Sequence, residues 1–324
     1  MAARFFYRSK VRRLIDVVAS PLTWAGAVLF KYFRNDNGHK MPLTKRILLK
    51  KGIFPVRDHY EEPLFNTKKH LGRSLRVDRK LPGIDLNTEE QLTLLDSFNF
   101  NEELLAIPTE KSGKKGFYYH NGVFESGDAE YWYSMIRKFK PKRIIEIGGG
   151  NSTLMAVNAI GRNTAEDPGY SCEYICIEPY ESPWLERTGV NIIRDKAENM
   201  DPDLFRRLDA NDILFIDTSH IIRPQGEVLF IYLELLPNLN KGVFVHIHDI
   251  FTPRDYPDRW IIEENRFWNE QYLLEAFLSM NPGFRVIGAL NYLMHNFNER
   301  ISAKCPVLAK EKDREPGSFW MVKN

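Results

Sequence analysis

After Pro141 the chain becomes a series of short β-branched runs separated by stretches with helical apolar spacing, and that alternation leaves few folds open. Units of this kind build a parallel sheet covered by helices on both faces. Strands are expected over residues 143–147, 174–177, 191–193, 213–216, 243–247 and 284–287, with helices in the gaps. Residues 318–322 read as a final strand, antiparallel beside the 284–287 strand. Trp132, Met135, Ile136 and Phe139 share one helical face just before the first strand, with Ser126 or Asp128 as its cap.

The first strand runs into Glu146-Ile147-Gly148-Gly149-Gly150-Asn151-Ser152-Thr153 and then a helix. Glycines there let the backbone turn sharply and let a ligand approach, while the helix start offers unpaired N–H groups. The second strand ends in Glu178, an acid able to accept hydrogen bonds from both hydroxyls of a ribose. A nucleotide-type cofactor is therefore expected across two strand tips. The dinucleotide pattern G-x-G-x-x-G would need Gly or Ala at 153 and meets Thr153. Glu146 would welcome a cationic ligand and repel a pyrophosphate, so both points favour S-adenosylmethionine (SAM).

With an acid after strand four as well, this ordered set resembles class I SAM-dependent methyltransferases over about residues 120–324. The resemblance implies a Rossmann-like α/β fold, a mostly parallel seven-stranded sheet with an antiparallel last strand, preceded by a helical or irregular extension. It also implies that Gly148, Gly149, Gly150 and Asn151 face the cofactor, that Glu146 lies near its amino group and that Glu178 holds the ribose. Residues after strand three, Asp195 to Glu198, would approach the adenine.

Strands four and five end in Asp217-Thr218-Ser219-His220 and His246-Ile247-His248-Asp249. Ionisable groups at the carboxyl edge of an open α/β sheet mark the reaction site. This part resembles the catechol-type O-methyltransferases, whose carboxylates after strands four and five bind magnesium; Asp217, His248 and Asp249 would then hold a divalent cation. Ile250 stands where that subgroup offers an amide, and His248 or His220 in its place would favour a softer ion. The metal-free alternative makes His248 or His220 the general base and Asp217 its orienting partner. His246 alone is as well read as structural. A facial triad of His246, His248 and a carboxylate in an iron oxygenase ranks last, because it leaves the glycine loop and Glu178 without a role. Beyond strand five, Tyr256, Trp260, Arg266 and Trp268 would close over a sugar, or else simply pack. The acceptor expected is a hydroxyl on a sugar, glycan intermediate or other small polar molecule; the competing function is a non-catalytic SAM-fold module recruited to a membrane assembly.

Charge is unevenly shared. Residues 1–51 carry twelve Lys or Arg against Asp16 and Asp36, a net +10 that leaves −8 on the remainder. A cationic arm on an acidic body argues for an anionic surface as the arm's partner and against nucleic acid wrapped on the body. Within the arm, residues 14–33 are mostly apolar but interrupted by Asp16, Ser20, Pro21, Thr23 and Lys31. Pro21 is expected to break the helix, which favours a membrane-surface or re-entrant anchor over a span; a hairpin packed on the body or a second subunit is the plainer alternative. The organisation expected is thus an arm over 1–51, an adapter over 52–119 with a helix over 88–98, and a catalytic domain over 120–324. Three cysteines without C-x-x-C spacing give neither a disulfide framework nor a zinc site, which fits a reducing, cytoplasmic setting on the inner face of a membrane.

Overall fold

A computed structural model describes residues 2–35, 40–111 and 116–324, with side chains from residue 11 onward. Asp36 and the side chains of Arg4, Arg8 and Lys10, counted in the arm's charge, lie outside these described residues. The chain divides into two compact units, Met1–Arg73 and Ser74–Asn324.

In the first unit α1 (Ala2–Asn35) runs on through Pro21, contrary to the expected break. Proline removes the N–H that would bond the carbonyl of Val17, and Ser20 Oγ takes its place by donating to that oxygen at 2.9 Å. One turn on, Thr23 Oγ1 donates to the carbonyl of Ala19. α2 (Pro42–Lys51) starts on proline and stops at Gly52, whose left-handed backbone (φ 68°) lets the N–H groups of Gly52 and Ile53 return to Leu49 and Leu48. Phe33 and Leu48 are buried in this unit.

The second unit holds a seven-stranded sheet in the order β3-β2-β1-β4-β5-β7-β6. Its strands are β1 (Arg143–Ile147), β2 (Glu173–Ile177), β3 (Asn191–Ile193), β4 (Ile213–Ile216), β5 (Phe244–Ile247), β6 (Phe284–Ala289) and β7 (Phe319–Lys323). The first five are parallel. β7 pairs antiparallel with β6, as expected, and also with β5, so it sits between them. Side chains alternate between two cores: Ile144, Ile213 and Phe215 join one, and Ile145, Leu214 and Val245 join the other.

Before the sheet come α3 (Thr67–His70, in the first unit), α4 (Thr88–Asp96), α5 (Asn101–Leu105) and α6 (Asp128–Phe139). α6 presents the buried Trp132, Met135 and Ile136 to the first core, but its cap is Gly127, with Glu130 accepting from the Gly127 N–H at 3.0 Å. α7 (Asn151–Glu166) follows the glycine loop; α8 (Glu227–Phe230) and α9 (Glu270–Leu278) send Val228, Phe230, Leu274 and Leu278 into the second core.

Candidate active site

The sheet's register brings the expected tips together. Residues 147, 216 and 247 are level in β1, β4 and β5, and the ladder continues one residue further, with Asp217 N–H donating to Ile147 and His248 N–H to Ile216, both at 2.9 Å. On the other side Gly148 N–H donates to Ile177 and Glu178 N–H to Ile193, both at 3.0 Å. Gly148, Glu178, Asp217 and His248 are therefore neighbours by backbone geometry alone.

Each glycine has its own reason. Gly148 has φ 87°, and a Cβ on it would fall 1.9 Å from the Asp217 carbonyl oxygen. A Cβ on Gly149 would strike Cys176 Sγ at 2.4 Å, and its N–H donates to Glu178 Oε2 at 3.2 Å. Around Gly150 there is open space. Two cavities meet here. One, of about 310 Å3, is lined by Gly148, Glu178, Lys196, Glu198, Asp217 and Arg223 among others; a second, of about 200 Å3, by Phe124, Gly148–Gly150, Asn151, Ser152, Glu178 and Asp217. The crevice over the loop is open rather than filled by side chains.

Glu146 departs from expectation. Its carboxylate accepts from Ser152 Oγ (2.5 Å), Thr153 Oγ1 (2.6 Å) and Tyr174 OH (2.7 Å) and is fully buried. Burial raises its pKa to about 7 against the pull of those three hydroxyls. With both oxygens engaged inside the protein, it clamps the start of α7 to β1 and β2 instead of meeting a ligand's amino group. Asp195 departs too: it is exposed, its carboxylate accepts from Lys196 N–H and Asn199 Nδ2, and it is absent from the cavity walls that Lys196 and Glu198 line.

At the tips of β4 and β5, His220 and His248 lie among four carboxylates. His220 Nε2 is 3.3 Å from Asp217 Oδ1 and 3.5 Å from Asp249 Oδ2, while its Nδ1 is 2.8 Å from Glu270 Oε2. His248 Nδ1 is 3.5 Å from Asp217 and 3.7 Å from Asp249, and its Nε2 is 3.7 Å from Asp128. Both nitrogens of His248 are buried without a hydrogen-bond partner. His220 (φ 59°) and Asp249 (φ 58°) take left-handed backbone that such residues adopt rarely and that collects at functional sites. Burial lowers the pKa of His220, yet Asp217 and Glu270 outweigh it and raise it to about 10. His248 is likewise held well above its ordinary value, against burial, by Asp249 and Asp217. Burial opposes ionisation of Asp217, but the two imidazoles keep its carboxyl low. In Asp249 burial prevails and the pKa rises. Donor atoms of Asp217, His248 and Asp249 lie within 4.8 Å of one another, a spacing that fits one cation with O, N and O ligands.

Residues 145–250 match a family model described as a methyltransferase domain. An uncharacterised protein of Archaeoglobus fulgidus is 34% identical over 173 residues, which span 50% of this chain and 76% of that relative. Residues 145–250 are thus a methyltransferase domain. Among solved structures, this methyltransferase is similar to the O-methyltransferase TomG of Streptomyces achromogenes, bound to SAM (13% identity, 74% of this chain and 92% of that one, TM-score 0.39). It is also similar to an O-methyltransferase of Bacillus cereus in complex with SAH (12% identity, 80% and 95%, TM-score 0.34).

Two methyltransferase residues at this site escape sequence reading. Asp128, legible only as an acid near a helix start, is held by Arg314 at 2.8 Å and by Ser318 N–H at 2.7 Å, and so backs His248. Glu270 opens α9 with no motif around it, and it fixes His220 from behind. His246 is structural: its Nε2 is 2.7 Å from Ser318 Oγ, its ring packs on Phe215 and Trp320, and burial holds it neutral. That placement removes it from a facial triad with His248. The aromatic stretch is a packed cluster. Tyr256 is fully buried, Arg266 lies 5.3 Å over both Trp260 and Trp268, and Trp268 rests on His220 with ring centres 4.3 Å apart. Tyr256 is thus closed to sugar stacking.

Proposed function

We propose that this methyltransferase is an O-methyltransferase acting on a hydroxyl of a sugar, glycan intermediate or other small polar acceptor, with Asp217, His248 and Asp249 as ligands of a divalent cation. The observation that carries the reading is the three-donor cluster beside an open crevice, with the nitrogens of His248 buried and unpartnered. When bound, such a cation would supply Lewis acidity that lowers the pKa of the acceptor hydroxyl, and SAM would supply an electrophilic methyl group.

The chain's own part is alignment. Gly150, beside open space, admits the donor where a side chain would intrude, Gly148 lets the loop turn against the Asp217 carbonyl, and Glu178 accepts hydrogen bonds from the ribose. Glu198, which lines the cavity beyond Glu178, borders the adenine end. Glu270 holds the His220 imidazole in a single orientation through its 2.8 Å contact, while the Asp128 carboxylate lies 3.7 Å from His248 Nε2. His220, raised to about 10 by Asp217 and Glu270, already holds a proton on each ring nitrogen and steadies the carboxylates beside the acceptor, so the proton of the acidified hydroxyl would leave to solvent. Phe124, whose ring lies 5.2 Å from that of His248, excludes water from the transfer path.

The test is calorimetry of SAM and its demethylated product on the full chain, together with transfer of labelled methyl to a panel of polyhydroxylated acceptors. Asp249→Asn and His248→Ala should keep product affinity within about threefold and lower transfer by about 10²-fold or more. Absence of SAM binding by the wild-type chain would remove the transferase reading, and full activity after exhaustive chelation would remove the cation.

A further inference from the structure

We propose that the first unit lies in the plane of an anionic bilayer interface, with the apolar side of α1 sunk among acyl chains. Among described residues, 29 large apolar side chains are exposed, and 19 of them fall in residues 11–65, a sixth of the chain. Leu14, Val17, Val18, Leu22 and Trp24 are each at least 60% exposed. Exposed apolar side chains concentrated in this way mark an interaction site. Its occupant is indicated by charge: residues 1–51 carry a net +10, whereas the remaining chain carries −8 and would be repelled by the same surface. α2 repeats the pattern at smaller scale, with exposed Leu43, Ile47 and Leu49 interleaved with Lys45, Arg46, Lys50 and Lys51.

The helix over Val11–Asn35 is long and apolar enough to cross a membrane by length and composition, with a mean hydropathy of 1.4 over an 18-residue window. The helix nevertheless carries a polar stripe. At about 100° per residue, Asp16, Ser20, Thr23, Lys31 and Arg34 fall on one side along its whole length. Crossing would drag that stripe through hydrocarbon, whereas lying flat leaves it in water and sinks the broad apolar arc. The unbroken passage through Pro21, secured by Ser20, keeps stripe and arc in register from end to end. This inference is independent of the chemistry proposed for the crevice.

The experiment is flotation of the full chain with phosphatidylcholine vesicles, with and without phosphatidylserine. Binding should be about tenfold or more tighter on the anionic vesicles and should fall as salt screens the arm. The double variant Val18→Asp, Leu22→Asp should lose about tenfold or more of that binding while its affinity for the demethylated cofactor, read by calorimetry, stays unchanged. Alkaline carbonate should strip the chain from vesicles. Retention after carbonate would mean a spanning helix and overturn the in-plane arrangement. Failure to float, coupled with a concentration-dependent dimer that the double variant abolishes, would assign the surface to a second copy and overturn the proposal.

Discussion

Replacing Glu146 by glutamine should flatten the protein's stability against pH in one defined window. The folded pKa of about 7 stands above the ordinary value of 4.5 because burial outweighs the three hydroxyl donors. An acid with a raised folded pKa costs nothing below pH 4.5, grows costly as pH rises, and reaches its full cost above pH 7. Linkage puts that cost at roughly 1.4 kcal/mol at pH 5.5 and roughly 3.3 kcal/mol at pH 8, a difference of about 2 kcal/mol. A glutamine side chain at this position would keep the volume and the acceptor for Thr153 and Tyr174, and Ser152 need only rotate its hydroxyl to accept from the new amide. The stability difference between Glu146→Gln and wild type, measured by urea unfolding of the full chain, should therefore shift toward the variant by about 2 kcal/mol from pH 5.5 to pH 8. A difference unchanged to within about 0.5 kcal/mol would refute the raised pKa, and with it the view of Glu146 as an internal clamp.

Two further substitutions separate the roles of the loop residues. Gly148→Ala should be lost to folding, since its Cβ would meet the Asp217 carbonyl at 1.9 Å on left-handed backbone, whereas Gly150→Ala should fold normally and weaken SAM binding because its methyl enters open space in the crevice; thermal unfolding and calorimetry report the two effects separately. Glu178→Ala should lower SAM affinity by about tenfold or more, through the loss of charged hydrogen bonds to the ribose; an unchanged Kd would remove Glu178 from the cofactor site.

Strands β1, β2, β4 and β5 were legible because each is a short apolar run closed by Gly148, Glu178, Asp217 or His248, and a doubly covered parallel sheet writes its strands that way. The glycine loop and Glu178 were legible for a related reason: backbone approach and strand tips impose residue types locally. What the sequence hides is distance. Asp128 and Glu270 reach the site from 120 residues before His248 and 50 residues after His220, and nothing in their neighbours marks them. Glu146 misleads because spacing cannot tell a carboxylate facing a ligand from one facing Ser152, Thr153 and Tyr174. Pro21 misleads because its helix-breaking effect depends on whether some other group serves the Val17 carbonyl, and the residue just before it does.

The placement of β7 between β5 and β6 has a consequence for how the protein is born. β7 follows the other six strands in the chain yet occupies a place inside the sheet, so β6 cannot join the rest until β7 has left the ribosome. Until then β5 presents an unzipped edge, and Asp128 lacks the Ser318 amide that steadies it behind His248. The cationic arm is translated ahead of every strand, so the interface binding proposed for it would be available before the residues around His248 are assembled.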